Sequence, residues 1–138
     1  TTIQSDYGGR LVMIGEIARG MEMLQRAGEF GTIRPSWHHF YMLLGSYLSR
    51  DLINTIHHAG LITADDYTLG LVARALAAKT AGDPSRAARA IERLVALDPA
   101  WAADPRGELA RFFPVPELAD RLASDLARAG LPGIAAAQ

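Results

Sequence analysis

No cysteine occurs among the 138 residues, which excludes disulfides, zinc–thiolate sites and thiol nucleophiles. No apolar run approaches the roughly 18 to 20 residues needed to span a bilayer. Residues 1–10 also lack the basic start and apolar stretch of a signal peptide, so a cytoplasmic setting is predicted. Neither sign of charge dominates: 14 Lys and Arg against 15 Asp and Glu leave a net charge of −1. The bases are spread along the chain, whereas a nucleic-acid face needs a concentrated basic stripe, so no nucleic-acid partner is expected. Strand signals are scarce, because Val, Ile and Thr never alternate with polar residues over a useful length. There is no initiator Met, and the start at Thr1-Thr2 predicts a piece of a longer protein.

What is present favours helix, since Ala, Leu and Arg dominate. Periodicity predicts helices over about 8–14, 16–28, 36–49, 51–59, 64–81, 84–97, 105–112 and 115–129. Gly28 and Gly31 bracket a loop, and Pro35 followed by Ser36 reads as the opening of the third helix. Gly60 is expected to close the fourth helix, with Thr63 or Asp65 capping the fifth. Gly82 stands where a left-handed residue ends a helix, and Asp83-Pro84 reads as a cap with proline in the first turn. Turns this short force antiparallel neighbours. Val72, Ala73 and Leu76 form one apolar stripe, and Ala87, Ile91, Leu94 and Val95 the facing one, with small Ala87 and Ala88 allowing close approach.

Gly15 and Gly82 each sit between paired helices, close to two 34-residue periods apart. The segment Tyr67 to Pro99 carries Ala87-x3-Ile91, ends at Pro99 and turns at Gly82-Asp83. It resembles a tetratricopeptide repeat, although Leu71, Arg74, Ala75 and Ala78 replace that family's usual first-helix residues. Tyr7-Gly8-x2-Leu11, Gly15-Glu16-Ile17, Gly20-x3-Leu24 and Ala27 resemble a degenerate first unit. In the middle unit Arg50-Asp51-Leu52 stands where Gly-Asp-Tyr is usual, and Thr55 replaces the small Ala. A broader likeness joins Pro35-Ser36-Trp37-His38-His39-Phe40, Ala96-Leu97-Asp98-Pro99 and the tail Arg111-Phe112-Phe113…Leu118…Leu122…Leu126…Ala129-Gly130-Leu131-Pro132. This arrangement resembles the C-terminal helical-repeat region of bacterial signalling proteins, whose output domain is an adenylate/guanylate cyclase or a winged-helix DNA-binding domain.

The resemblance implies an all-α fold: antiparallel helix pairs stacked as a short tetratricopeptide-like right-handed superhelix with a C-terminal capping helix. One domain over 1–138 is expected, with units about 4–34, 36–62 and 64–99 and a capping region 100–131. Leu118, Ala119, Leu122 and Leu126 make the stripe of such a cap, while Glu117, Asp120, Arg121, Asp125 and Arg128 face elsewhere. Gly130 and Pro132 stop the helix, and the Ala-rich end is expected to fray.

The residues able to carry chemistry weigh towards contact. His38-His39 and His57-His58 each point about 100° apart on a helix, so neither pair chelates an ion alone. One member from each helix meeting across the antiparallel pair, with Asp51 or Asp65, would make a metal site; packing at a polar boundary is the favoured reading. Asp65-Asp66 reads as helix capping rather than an acid/base pair. Glu16, Glu22 and Glu29 have no nucleophile nearby, and Gly8-Gly9 lacks the strand and the Gly-Lys-Ser/Thr of a phosphate loop. Trp37, Phe40, Tyr41, Leu44, Tyr47 and Leu48 have the spacing of a buried stripe.

The expected function is therefore a non-catalytic interaction and regulatory module, without cofactor or metal, that binds a protein or peptide partner or a second copy of itself. His39, Ser46, Arg74 and Lys79 are the candidate partner-groove residues, and Met13, Ile14 and Ile17 the candidate self-association residues at an uncapped N-terminal end. The alternatives are an interaction region of a winged-helix regulator and a small histidine-based metal-binding enzyme.

Overall fold

The computed structural model describes residues 2–28 and 34–132. Among them are nine α-helices and no strand: α1 (Thr2–Met13), α2 (Ile17–Gly28), α3 (Ser36–Leu48), α4 (Leu52–Leu61), α5 (Thr68–Thr80), α6 (Pro84–Leu97), α7 (Ala100–Ala103), α8 (Pro105–Phe112) and α9 (Pro116–Ala129). The all-α expectation holds. Packing divides the chain into two compact units, Thr1–Ala64 and Asp65–Gln138.

Three helix pairs share one turn. Residues Gly15 (φ 92°), Arg50 (φ 60°) and Gly82 (φ 78°) are left-handed. In each turn the following acidic residue donates its N–H to the carbonyl five residues back: Glu16 to Leu11 at 2.8 Å, Asp51 to Ser46 at 2.9 Å and Asp83 to Ala78 at 2.9 Å. The left-handed residue itself donates to the carbonyl three back, at 3.0, 3.1 and 3.1 Å. These bonds satisfy carbonyls that a helix end would otherwise leave bare. Five residues beyond each left-handed position stands a small buried residue, namely Gly20, Thr55 and Ala87.

In the first unit α1 packs on α2 and α3, α2 on α3, and α3 on α4. The α1–α2 crossing is glycine on glycine. A Cβ built on Gly20 would lie 2.6 Å from the Gly8 carbonyl oxygen, and one on Gly8 would lie 2.9 Å from that of Gly20. Gly9 sits under the Tyr41 ring and Gly45 under Met21. This explains why α1 starts at Thr2 and not near residue 8: Gly8 and Gly9 are contact points against α2 and α3, not helix breakers. Leu24, Phe40, Leu43 and Leu44 complete the core here.

In the second unit α5 packs on α6 and α9, α6 on α7 and α9, and α8 on α9. Ala78, Ala87 and Ala129 meet in one cluster, and Val72, Leu76, Ile91, Leu94, Leu122 and Leu126 are buried in this unit as well. Ala88, expected at the close approach, faces solvent, and Ala87 alone fills that role. Asp83 accepts from the Arg86 N–H at 3.0 Å as the cap of α6, and Gly130 (φ 116°) ends α9.

Two expected caps are absent. Tyr67 is the N-cap position of α5 and makes no side-chain capping bond, and Asp65 instead pairs with Arg74 at 3.0 Å. Pro35 precedes α3 in the same way, and the Ser36 hydroxyl accepts from the Ala64 N–H at 3.3 Å. Gly60 lies inside α4, which runs on to Leu61. The short α7, unmarked in the periodicity, buries Trp101 completely. The loop at 29–33, with Glu29 and Gly31, and the Ala-rich end from 133 lie outside the described residues.

Candidate functional site

All four histidines of the chain lie on the α3–α4 hairpin. Asp51 sets the start of α4 by accepting from the Asn54 N–H at 3.2 Å and its Nδ2 at 2.6 Å. Those two bonds hold the Asp51 carboxyl below the usual carboxylate range. The tight turn at Arg50 then returns α4 antiparallel along α3, which brings His57 and His58 beside His38 and His39.

The rings form a ladder. His39 Nδ1 and His58 Nδ1 are 3.2 Å apart, while the ring centroids are 5.4 Å apart, so the two nitrogens are the facing tips of the rings. His38 stands edge-on to His39 at 5.6 Å, and His57 edge-on to His58 at 5.0 Å. At the far end His38 Nδ1 hydrogen-bonds the buried Ser5 hydroxyl of α1 at 3.1 Å. The ladder thus crosses three helices of the first unit.

Burial opposes charging of these rings. It pushes His58 down to about 4, helped by the neighbouring His39 and His57. His38 is also pushed down to about 4, by burial first and then by His39 and Arg34. His39 is lowered by burial, His57 and Arg34. At neutral pH His38, His39 and His58 are uncharged, with one of His39 and His58 donating and the other accepting.

The expected meeting of one histidine from each helix is thus present in His39 and His58. No third ligand joins them, for no set of three His, Asp or Glu side chains among the described residues has metal-binding geometry. Asp51 is engaged by Asn54, and Asp65 belongs to the second unit with Arg74.

The other candidate residues scatter. Ser46 is 3% exposed and its hydroxyl donates to the Met42 carbonyl at 2.8 Å, so it offers no surface. Arg74 is partly exposed and paired, whereas Lys79 is in solvent. Of the N-terminal set, Ile14 is exposed while Met13 and Ile17 are half-buried. Ile3 (82% exposed) and Tyr7 add to Ile14 along α1.

Among the described residues, α4 carries an apolar exposure that sequence periodicity misses. On α4, Leu52, Ile53 (81%), Ile56 and Leu61 all face solvent, and Thr55 is the single buried residue of that helix. Counting apolar residues assigns that set to a core. The repeated turn decides otherwise, because it places the small residue against the partner helix and turns the large ones out. In the second unit an open cleft of about 290 Å³ between α8 and α9 is lined by Phe113, Pro114 and Pro116, with the Arg106–Asp120 pair (2.9 Å) closed on itself at its edge.

Compared with known proteins, the chain matches no family model, no curated protein and no solved structure.

Proposed function

We propose that this chain is a tetratricopeptide-like, non-catalytic interaction and regulatory module. The observation that carries this reading is the threefold recurrence of one hairpin turn at positions 15, 50 and 82, close to the 34-residue period of that repeat class. The small residue five places on, which lets two helices touch, recurs with it. In this reading the pairs stack as a right-handed superhelix closed by α9, whose Leu122 and Leu126 are buried while Glu117, Asp120, Arg121 and Arg128 stay in solvent. The apolar face of α4 serves as the contact surface, since contiguous exposed apolar area marks interaction sites. The partner is a protein segment, or a second copy of the chain.

The arrangement of Pro35 to Phe40, Ala96 to Pro99 and the Arg111 to Pro132 tail supports a place in a bacterial signalling protein with a nucleotide cyclase as its output domain. Two measurements test the proposal. An experimental structure should relate the three hairpins by one repeated rotation, and unrelated orientations would reject the repeat class. The parent reading frame should encode a cyclase domain; a winged-helix domain there would move the module to a transcriptional regulator, and an unrelated enzyme would remove the signalling reading.

A further inference from the structure

We propose that the histidine ladder is a proton-operated latch, which holds α4 on α3 at neutral pH and releases it on mild acidification. The geometry couples this contact to protonation. His39 and His58 face each other through Nδ1 atoms 3.2 Å apart, a contact that needs one N–H donor and one bare nitrogen. One added proton leaves a charged donor facing a neutral acceptor, and that bond still holds, opposed only by burial of the charge. A second proton turns both tips into N–H groups pointing at each other, and the contact becomes repulsive. His38 meets the same limit next door, since its charge would sit beside His39 and Arg34 in a site 4% exposed.

The surroundings give the extra charge little compensation. From α1 come the Ser5 hydroxyl and Asp6, which is already paired with Arg10 at 3.1 Å. From α2, Glu22 and Arg26 pair with each other in solvent at 2.7 Å, and Arg19 is exposed. Arg34, ahead of α3, adds a positive charge that opposes protonation of His38 and His39. On α4, Asp51 alone favours a charged His58, and its effect is smaller than those of burial and the three other histidines. Within α4 itself one side chain, Thr55, is buried, and the turn residue Arg50 is left-handed without being glycine.

The sign follows from linkage. The folded rings titrate below the ordinary value of 6.5, so the opened state binds protons more readily. Closure is complete above about pH 6.5 and weakens as pH falls towards about 4. Between pH 7 and 5 the opening constant should rise about twentyfold for each such ring. Carboxylates stay mostly ionised over that range. The second unit contains no histidine, so the response belongs to the first.

The chain carries its own reporters. Trp37 lies 6.4 Å edge-on from His38, and Trp101 is buried in the histidine-free unit. The Trp101 indole N–H has no protein acceptor, so Trp101→Phe removes that fluorophore without breaking a hydrogen bond. In Trp101→Phe, Trp37 emission and α4 amide protection should change together between pH 7 and 5; in Trp37→Phe, Trp101 emission should stay flat. His39→Asn/His58→Asn should lose most of the pH response and keep only the share that burial of His38 supplies. If that double variant fails to fold, ring titration by NMR in the unaltered chain decides the matter, with signals from His38 and His58 well below 6.5 supporting the latch. His38 and His58 titrating near 6.5, no change in α4 protection, or an equal response in a folded double variant would overturn it.

Discussion

His39 and His58 approach Nδ1 to Nδ1 at 3.2 Å across the α3–α4 hairpin, and this contact binds their tautomers to each other. Truncating one partner leaves a half-buried nitrogen without its hydrogen bond, which costs about 1–3 kcal/mol. His58→Ala should therefore lower stability by that amount at pH 7.5, measured by urea unfolding. A double-mutant cycle with His39→Ala should recover a favourable coupling at pH 7.5 that shrinks by pH 5, because the neutral pair is fully present above about 6.5 and lost as pH falls towards about 4. A coupling that is independent of pH would show that the rings stack without sharing a proton.

The repeated turn yields the next expectation. Arg50 occupies with φ 60° the left-handed position that Gly15 and Gly82 occupy in the other two hairpins, and a residue with a Cβ pays about 1 kcal/mol there. Arg50→Gly should stabilise the chain by somewhat under that amount, since glycine loses more entropy on folding. Gly82→Ala should destabilise by about 1 kcal/mol, although a Cβ there meets nothing within 4 Å. Thermal unfolding of both variants checks the pair, and effects of equal sign would contradict the shared turn.

Much of this architecture is legible in the residues themselves. Gly82-Asp83-Pro84 and Gly130 mark helix ends by backbone chemistry that acts locally, and the structure follows them. The stripes Val72–Leu76 and Ile91–Leu94 follow helical period and are buried. What escapes is decided by tertiary contact. Gly8 and Gly9 carry no packing signal in the sequence, and their role appears only where α2 and Tyr41 press against them. Thr55 looks unremarkable until the turn register makes it the buried side of α4. Histidines from both helices could be expected to meet, but which two face each other depends on the α3–α4 crossing and not on spacing alone.

Two glycines separate close packing from free surface. A Cβ on Gly20 would press on the Gly8 carbonyl oxygen and on Val12 Cγ2, both at 2.6 Å. The first contact is backbone and cannot rotate away, so Gly20→Ala should cost about 1–3 kcal/mol by overpacking. Gly60, on the open side of α4, has nothing within 4 Å, so Gly60→Ala should add about 0.5 kcal/mol through helix propensity. Urea midpoints of the two variants should move in opposite directions. A Gly20→Ala variant as stable as the parent would mean that α1 and α2 do not cross at Gly8.

The apolar face of α4 gives the last expectation, and it separates contact from stability. Ile53 is 81% exposed, so Ile53→Lys removes no packing and should leave folding stability within about 0.5 kcal/mol of the parent. Ile56 is less exposed at 45%, and Ile56→Lys can keep its aliphatic stem on the surface while its ammonium reaches water. If α4 is the contact face, these substitutions should abolish concentration-dependent self-association in sedimentation, with helicity unchanged. The same substitution at Ile3 of α1, equally exposed, identifies the face: loss of association only at Ile3 would move the contact to α1. If association is seen and survives all three substitutions, neither helix face forms the contact. If the parent chain is monomeric at every concentration, a second copy is not the occupant and the α4 face is left to a protein segment of another kind.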